Sequence, residues 1–187
     1  MDNKGFTLIE LMVSVTIFIV VMTISLGALL SISAANRKAE ALKTVMNNLS
    51  FSLESMSRAI RTGVDYGCNS SGDCTSGTGG YRFSFTDVSQ RDVTYCLGSG
   101  TSCETSTACP AGTSCTILRS INGGTLEPLT SQEVAISNLS FYLQGSATGD
   151  GVQPKVVITL NGSITIGASP PTQFALQTSV TQRLYDQ

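Results

Sequence analysis

A run of 25 residues from Leu11 to Ala35 carries no charged side chain and no proline, and no other feature constrains the chain as tightly. About 20 apolar residues in a helix cross the hydrocarbon core of a bilayer, so this run is long enough to span. Directly before it stands Lys4-Gly5-Phe6-Thr7-Leu8-Ile9-Glu10, a basic residue and a glycine followed by an apolar stretch that holds one acid. Glu10 is the anomaly. An ordinary secretory signal has an apolar core of about 7 to 15 residues without an acid in it. Cleavage after Ser33-Ala34-Ala35 would require a core that is too long and an acid that is misplaced. A plain single-pass anchor leaves Glu10 unexplained, because a carboxylate carried toward the helix centre costs about 2.5 to 3.5 kcal/mol and tends to be kept for function.

The glycine, the phenylalanine, the glutamate spacing and the span behind them together resemble the class III signal peptide of type IV pilins and their pseudopilin relatives. The resemblance covers roughly the first 35 residues and implies a minor subunit with a pilin-like fold. It implies that prepilin peptidase removes a leader, residues 1–5, after Gly5, and that the new terminus, Phe6, is N-methylated. Glu10 would be retained for assembly, where it neutralises the terminal amine of a neighbouring Phe6 inside an apolar bundle. The implied partners are that peptidase, other pilin or pseudopilin subunits, and the cytoplasmic membrane with its assembly platform. The implied location is the inner membrane with the head outside the cytoplasm, then a cell-surface or periplasmic filament. Charge alone points the other way: Lys4, offset by Asp2, precedes the span, whereas Arg37, Lys38 and Lys43 follow it, which the positive-inside rule reads as the reverse topology. The resemblance is taken to override that count.

Six cysteines, Cys68, Cys74, Cys96, Cys103, Cys109 and Cys115, all lie beyond the span in a region rich in glycine, serine and threonine. An even set points to an oxidising compartment and to three disulfides, in agreement with a head outside the cytoplasm. Six cysteines allow about 15 connectivities, and spacing does not choose among them. Zinc fits poorly, since the chain has no histidine and no Cys-x-x-Cys.

Helical periodicity continues past the span. Leu42, Met46, Leu49, Leu53, Met56 and Ile60 recur at intervals of four and three, which places one stripe along a helix. No proline interrupts residues 6–62, and Gly63 follows as a stop signal. One continuous helix is expected, roughly 85 Å long at 1.5 Å per residue. Its first part, 6–35, forms the membrane and assembly segment. Its continuation lays the stripe on a head, within a single region 36–187. A coiled-coil seam would need three or four sustained heptads, more than this stripe supplies.

The head reads as strands at Tyr81 to Thr86, Val93 to Leu97 and Val134 to Leu143. Lys155 to Leu160 and Ser163 to Gly167 flank Asn161-Gly162, which predicts a hairpin with a type I′ turn. Phe174 to Tyr185 forms a terminal strand with Phe174, Leu176, Val180 and Leu184 on one face. Strands without helices between them make an antiparallel sheet, so the class is α+β. Gly67 to Gly80 and Gly98 to Thr116 read as disulfide-held loops, spanning about 67–116 with their cysteines, and as either a contact surface or plain connection.

Catalytic patterns are scarce. The absence of histidine removes Ser-His-Asp and Cys-His arrangements. Asp87, Asp92, Glu104, Glu127, Glu133 and Asp150 are scattered, with no spacing that selects an acid and base pair. Gly149-Asp150-Gly151 reads as a turn rather than a calcium loop. No catalytic residue, metal or cofactor is assigned, and no run of basic residues supports nucleic acid. The expected role is a structural subunit of a type IV pilus or type II secretion filament. A membrane-anchored extracytoplasmic adhesin or binding module without an assembly role is the alternative.

Overall fold

The structure, a computed structural model, describes residues 5, 7–69, 72–75, 77–131, 133–165 and 171–183. The expected methylation site Phe6, the far arm of the expected hairpin at Gly167, and Leu184 and Tyr185 lie outside the described residues. The chain divides into two compact units, Met1–Lys43 and Thr44–Gln187.

Helix α1 runs Leu8–Thr62, 55 residues, and ends where the sequence places its end. Gly63 closes it, with its N–H donating to the carbonyl of Ile60 at 2.9 Å. The reason for glycine is not the left-handed cap that the stop signal implies, since Gly63 is not among the positive-φ residues. A Cβ there would run into the Phe85 ring, so the glycine permits the core aromatic to approach. In the second unit the helix buries Val45, Leu49, Ser52, Met56 and Ile60. Of the expected stripe, Leu49, Met56 and Ile60 reach the core, while Leu42, Met46 and Leu53 are half-buried. The buried face takes Val45 and Ser52 in place of Met46 and Leu53, and the Ser52 hydroxyl donates to the carbonyl of Leu129 at 2.6 Å, a bond that hydropathy alone does not register.

After the helix come β1 (Val64–Cys68), β2 (Arg82–Thr86), β3 (Asp92–Ser99), β4 (Ser102–Cys103), β5 (Thr116–Ile121), β6 (Glu127–Pro128), β7 (Val134–Gln144), β8 (Lys155–Ile164) and β9 (Thr172–Thr181). They form two antiparallel sheets, β1-β2-β3-β5-β6 with β4 beside β3, and β7-β8-β9. The architecture is α+β and pilin-like: one long N-terminal helix followed by antiparallel sheet. Strands β1 and β5 were not expected from the sequence. Their flanking glycines, serines and threonines mask short runs whose burial depends on partners distant in the chain.

The largest correction concerns Asn161-Gly162. No turn forms there; β8 passes straight through, pairing with β7 on one side and β9 on the other. Neither residue has the positive φ that a type I′ turn demands. The physical reason is phase. A straight strand keeps Val156, Ile158, Leu160, Gly162 and Ile164 on one buried face, whereas a two-residue turn at 161–162 would set Leu160 beside Ser163. Gly162 serves a different purpose: a Cβ on it would lie 2.6 Å from Cζ of Phe174 on β9 and 2.6 Å from the carbonyl oxygen of Ala135 on β7. The aromatic ring fills the place of the missing side chain.

The two sheets meet through aromatic rings. Phe83 of β2 stacks on Phe141 of β7 at 5.6 Å between centroids and on Phe85 at 5.8 Å, with Tyr66 edge-on at 5.5 Å. Such pairs contribute about 0.5 to 1.5 kcal/mol each beyond their burial. Burial pushes the hydroxyl of Tyr66 well above its ordinary pKa, and it donates to the carbonyl of Ile60, tying the helix end to β1.

Candidate functional site

The N-terminal segment is built by local rules. Thr7 caps the helix, its hydroxyl oxygen accepting the N–H of Glu10 at 3.3 Å. Thr7-Leu8-Ile9-Glu10 is thus a Thr-x-x-Glu capping pattern, with the acid three residues past the cap, where it also favours the positive end of the helix dipole. This signal was legible in the sequence and was missed there. Beyond it, Ser14, Thr16, Thr23 and Ser25 each donate a hydroxyl to the carbonyl four residues earlier, at 2.7 to 2.8 Å. Every one of those hydroxyls is satisfied inside its own helix, which lets the helix enter an apolar medium without stranding a donor. None of the most apolar window is buried, and Leu8, Leu11, Ile17, Phe18, Leu29 and Leu30 are exposed. The helix is long and apolar enough to cross a membrane.

Gly5 has no structural need to be glycine. A Cβ there would meet nothing within 4 Å. The described structure leaves room for a side chain at this position.

In the head, three disulfides join cysteines that are neighbours in sequence: Cys68–Cys74, Cys96–Cys103 and Cys109–Cys115, with Cα–Cα distances of 6.0, 5.7 and 5.9 Å. Cys68, Cys96 and Cys115 are buried. The region read as loops is therefore anchored in the core by one half-cystine of each pair, and part of it is strand. Its inner side lies along the edge of β7 that β8 does not use. The carbonyls of Cys115, Thr107 and Gly80 accept the N–H groups of Ile136, Leu139 and Phe141 at 2.8 to 2.9 Å. In return, Cys109, Gly80 and Cys74 donate to the carbonyls of Ser137, Phe141 and Leu143 at 2.7 to 3.0 Å. An unpaired edge of a long apolar strand invites association with other chains, and here the disulfide-bound segments cover it.

Asp73 completes the arrangement, and sequence reasoning had passed over it. Its carboxylate accepts the N–H of Gly145 at 2.9 Å and of Ser146 at 2.8 Å, clamping the first disulfide segment to the end of β7. Partial burial pushes this carboxyl up. The bonds from the Ser146 side chain, the Ser146 backbone and the Gly145 backbone together outweigh that effect and hold it below its ordinary value of 3.8. A depressed folded-state value means that the stabilising contribution is fully present above the unfolded value and is lost as the pH falls through the folded one. The amides of Gly145 and Ser146 are therefore expected to lose hydrogen-exchange protection on acidification below 3.8, and Asp73→Asn should abolish that acid transition. An unchanged transition in the variant would remove Asp73 from the clamp.

The scattered carboxylates do not converge. Asp87 pairs with Arg91 at 2.7 Å and Glu127 with Arg119 at 2.9 Å. Asp150 accepts the N–H of Val152 at 2.7 Å within a turn, as its glycine neighbours suggested. Among the described residues, no cluster of three or more metal-ligating side chains forms.

Comparison with known proteins gives one family match: residues 1–26 fit the prokaryotic N-terminal methylation motif. No curated protein and no solved structure matches the chain. The match supports a class III signal of the type IV pilin kind in the N-terminal segment, as a pilin- or pseudopilin-type precursor would carry. Such a motif points to a structural subunit rather than an enzyme, to processing by prepilin peptidase and to assembly with other pilins. Together with the apolar helix it fits membrane anchoring.

Proposed function

We propose that this protein is a minor pilin or pseudopilin, cut between Gly5 and Phe6, methylated at Phe6 and built into a type IV pilus or type II secretion filament through its helix. The observation that carries this reading is the methylation motif over residues 1–26 followed by a helix whose most apolar window is entirely exposed. Exposed apolar surface of that extent needs lipid before assembly and neighbouring helices after it. On this reading residues 1–5 are a leader, 6–35 the membrane and assembly segment, and 36–187 the helix continuation with the head. The six cysteines serve as the disulfide framework of that head, Glu10 is the assembly carboxylate, and the head faces away from the cytoplasm.

Intact-mass measurement of the membrane-extracted protein tests the reading in one step. The expected mass lacks residues 1–5, carries one methyl group and is short by the six hydrogens of three disulfides. Gly5→Leu should leave a membrane-bound precursor of full length with its head folded. A native terminus at Asn36 would reject processing at Gly5 and restore an ordinary signal peptide.

A further inference from the structure

The unit Thr44–Gln187 contains seven basic side chains, and three of them, Arg58, Arg61 and Arg183, line one recess of about 360 Å³ at the end of α1. Glu54, Ser57 and Thr62 complete its wall. The sequence shows no basic cluster because Arg183 lies far along the chain from Arg61. The fold joins them: the N–H of Arg183, two residues past β9, donates to the carbonyl of Arg61 at 2.8 Å. Neutralising the negative end of the helix dipole accounts for a cation in the last turn, and so for Arg61, with Arg58 one turn earlier. That end carries about half a negative charge, which Arg61 alone offsets, so Arg183 adds charge beyond what the dipole takes up.

Among the described residues, charge in the recess is unbalanced. Glu54 reaches Arg58 at 3.4 Å in a largely exposed pair, which leaves a formal surplus of two positive charges among three guanidiniums and one carboxylate. Guanidinium groups do not lose their protons in proteins, so the mutual repulsion persists at any working pH. An anion relieves it. A phosphate group carries about −1.5 to −2 charge at neutral pH and accepts paired N–H donors from arginine forks, whereas a single carboxylate would leave the surplus half met. The hydroxyl of Thr62 is already used, donating to the carbonyls of Arg58 and Ala59, so the guanidiniums carry the recognition. Elsewhere in the unit, Arg91 and Arg119 are committed to Asp87 and Glu127, and three of the seven basic side chains line the recess, too few for the run of phosphates that a polyanion presents.

We propose that the recess formed by Arg58, Arg61 and Arg183 is a binding site for a single phosphate group. The test is calorimetric titration of the full-length protein in neutral detergent with inorganic phosphate, at fixed ionic strength, with arginine Nε–H resonances as a second readout. Saturable one-to-one binding is expected. Arg61→Gln and Arg183→Gln should each weaken it about tenfold, the loss of one charge-assisted contact. Arg58→Gln should weaken it less, since Glu54 already engages that side chain. Lys155→Gln, on the exposed side of β8, should have no effect. Unchanged circular dichroism in each variant separates loss of the site from loss of the fold. Competition by a phosphomonoester or by phosphatidylglycerol vesicles would support the site and identify the carrier. Absence of saturable phosphate binding would overturn the proposal, as would equal weakening by Lys155→Gln. Binding seen only with a long single-stranded oligonucleotide, and surviving in Arg61→Gln and Arg183→Gln, would overturn it too.

Discussion

Glu10→Leu is expected to leave the protein in the membrane and to remove it almost completely from filaments. An apolar residue at this boundary makes insertion easier, because the cost of carrying a carboxylate toward lipid disappears. On the proposed function the same change strands the terminal amine of a neighbouring Phe6 in the assembled bundle, and removing one member of a buried pair costs about 3 to 5 kcal/mol. At about 1.4 kcal/mol per tenfold, incorporation should fall by two orders of magnitude or more. The capping geometry adds a necessary control. Glu10 sits at the third position after the Thr7 cap, so leucine could act by weakening the helix start. Glutamine retains the capping capacity of glutamate without its charge. Glu10→Gln should therefore lose incorporation nearly as fully as Glu10→Leu if the charge pair drives assembly, and should restore it if the cap does. Sheared-filament and membrane fractions report both, and depletion of a variant from both fractions would indicate misfolding instead.

Breaking the disulfides should produce the second large effect, at places that the β7 edge specifies. Each bridge closes a short segment, with sequence separations of six, seven and six residues, for which loop-closure entropy gives about 2.3 kcal/mol per bridge. Three together approach about 7 kcal/mol, comparable with the whole stability of an ordinary domain at 5 to 15 kcal/mol. Full reduction should therefore unfold the head or bring it close to unfolding, and a bared β7 edge should drive it to associate. Single bridges should act locally. Cys68→Ala with Cys74→Ala should first expose the amides of Cys74, Gly80 and Phe141 to exchange, whereas Cys109→Ala with Cys115→Ala should expose Cys109, Ile136 and Leu139, following the bonds each segment makes. Hydrogen exchange with residue resolution checks this. Protection lost uniformly, or not at all, would show that the segments do not cover the edge independently.

What was legible in the sequence follows from interactions between residues close along the chain. The uncharged run, the Lys4 to Glu10 signal and the helix end at Thr62 all rest on local hydropathy and on the missing proline. Strand β2 and the face bearing Phe174, Leu176 and Val180 were likewise readable, because alternation is local. The Thr7 cap was equally local and was passed over because the apolar run drew the argument past it.

Cross-strand facts were not legible in the same way. Asn161-Gly162 carries the local preference of a turn, yet its conformation was decided by whether Leu160, Gly162 and Ile164 share a buried face between β7 and β9. Ser52 reads as a gap in the helical stripe until the carbonyl of Leu129 is placed beside it. Cysteine spacing permits many pairings, and the choice depends on where β1, β3 and β5 set Cys68, Cys96 and Cys115. Arg183 meets Arg61 only after β9 has paired with β8 and returned the chain to the end of the helix. Local propensity and hydropathy act over a few residues, so they determined where the chain is helical, where it is apolar and how it is addressed. Register, edge covering and the convergence of charge act between segments distant in sequence, and for those the energy of the packed whole made the decision.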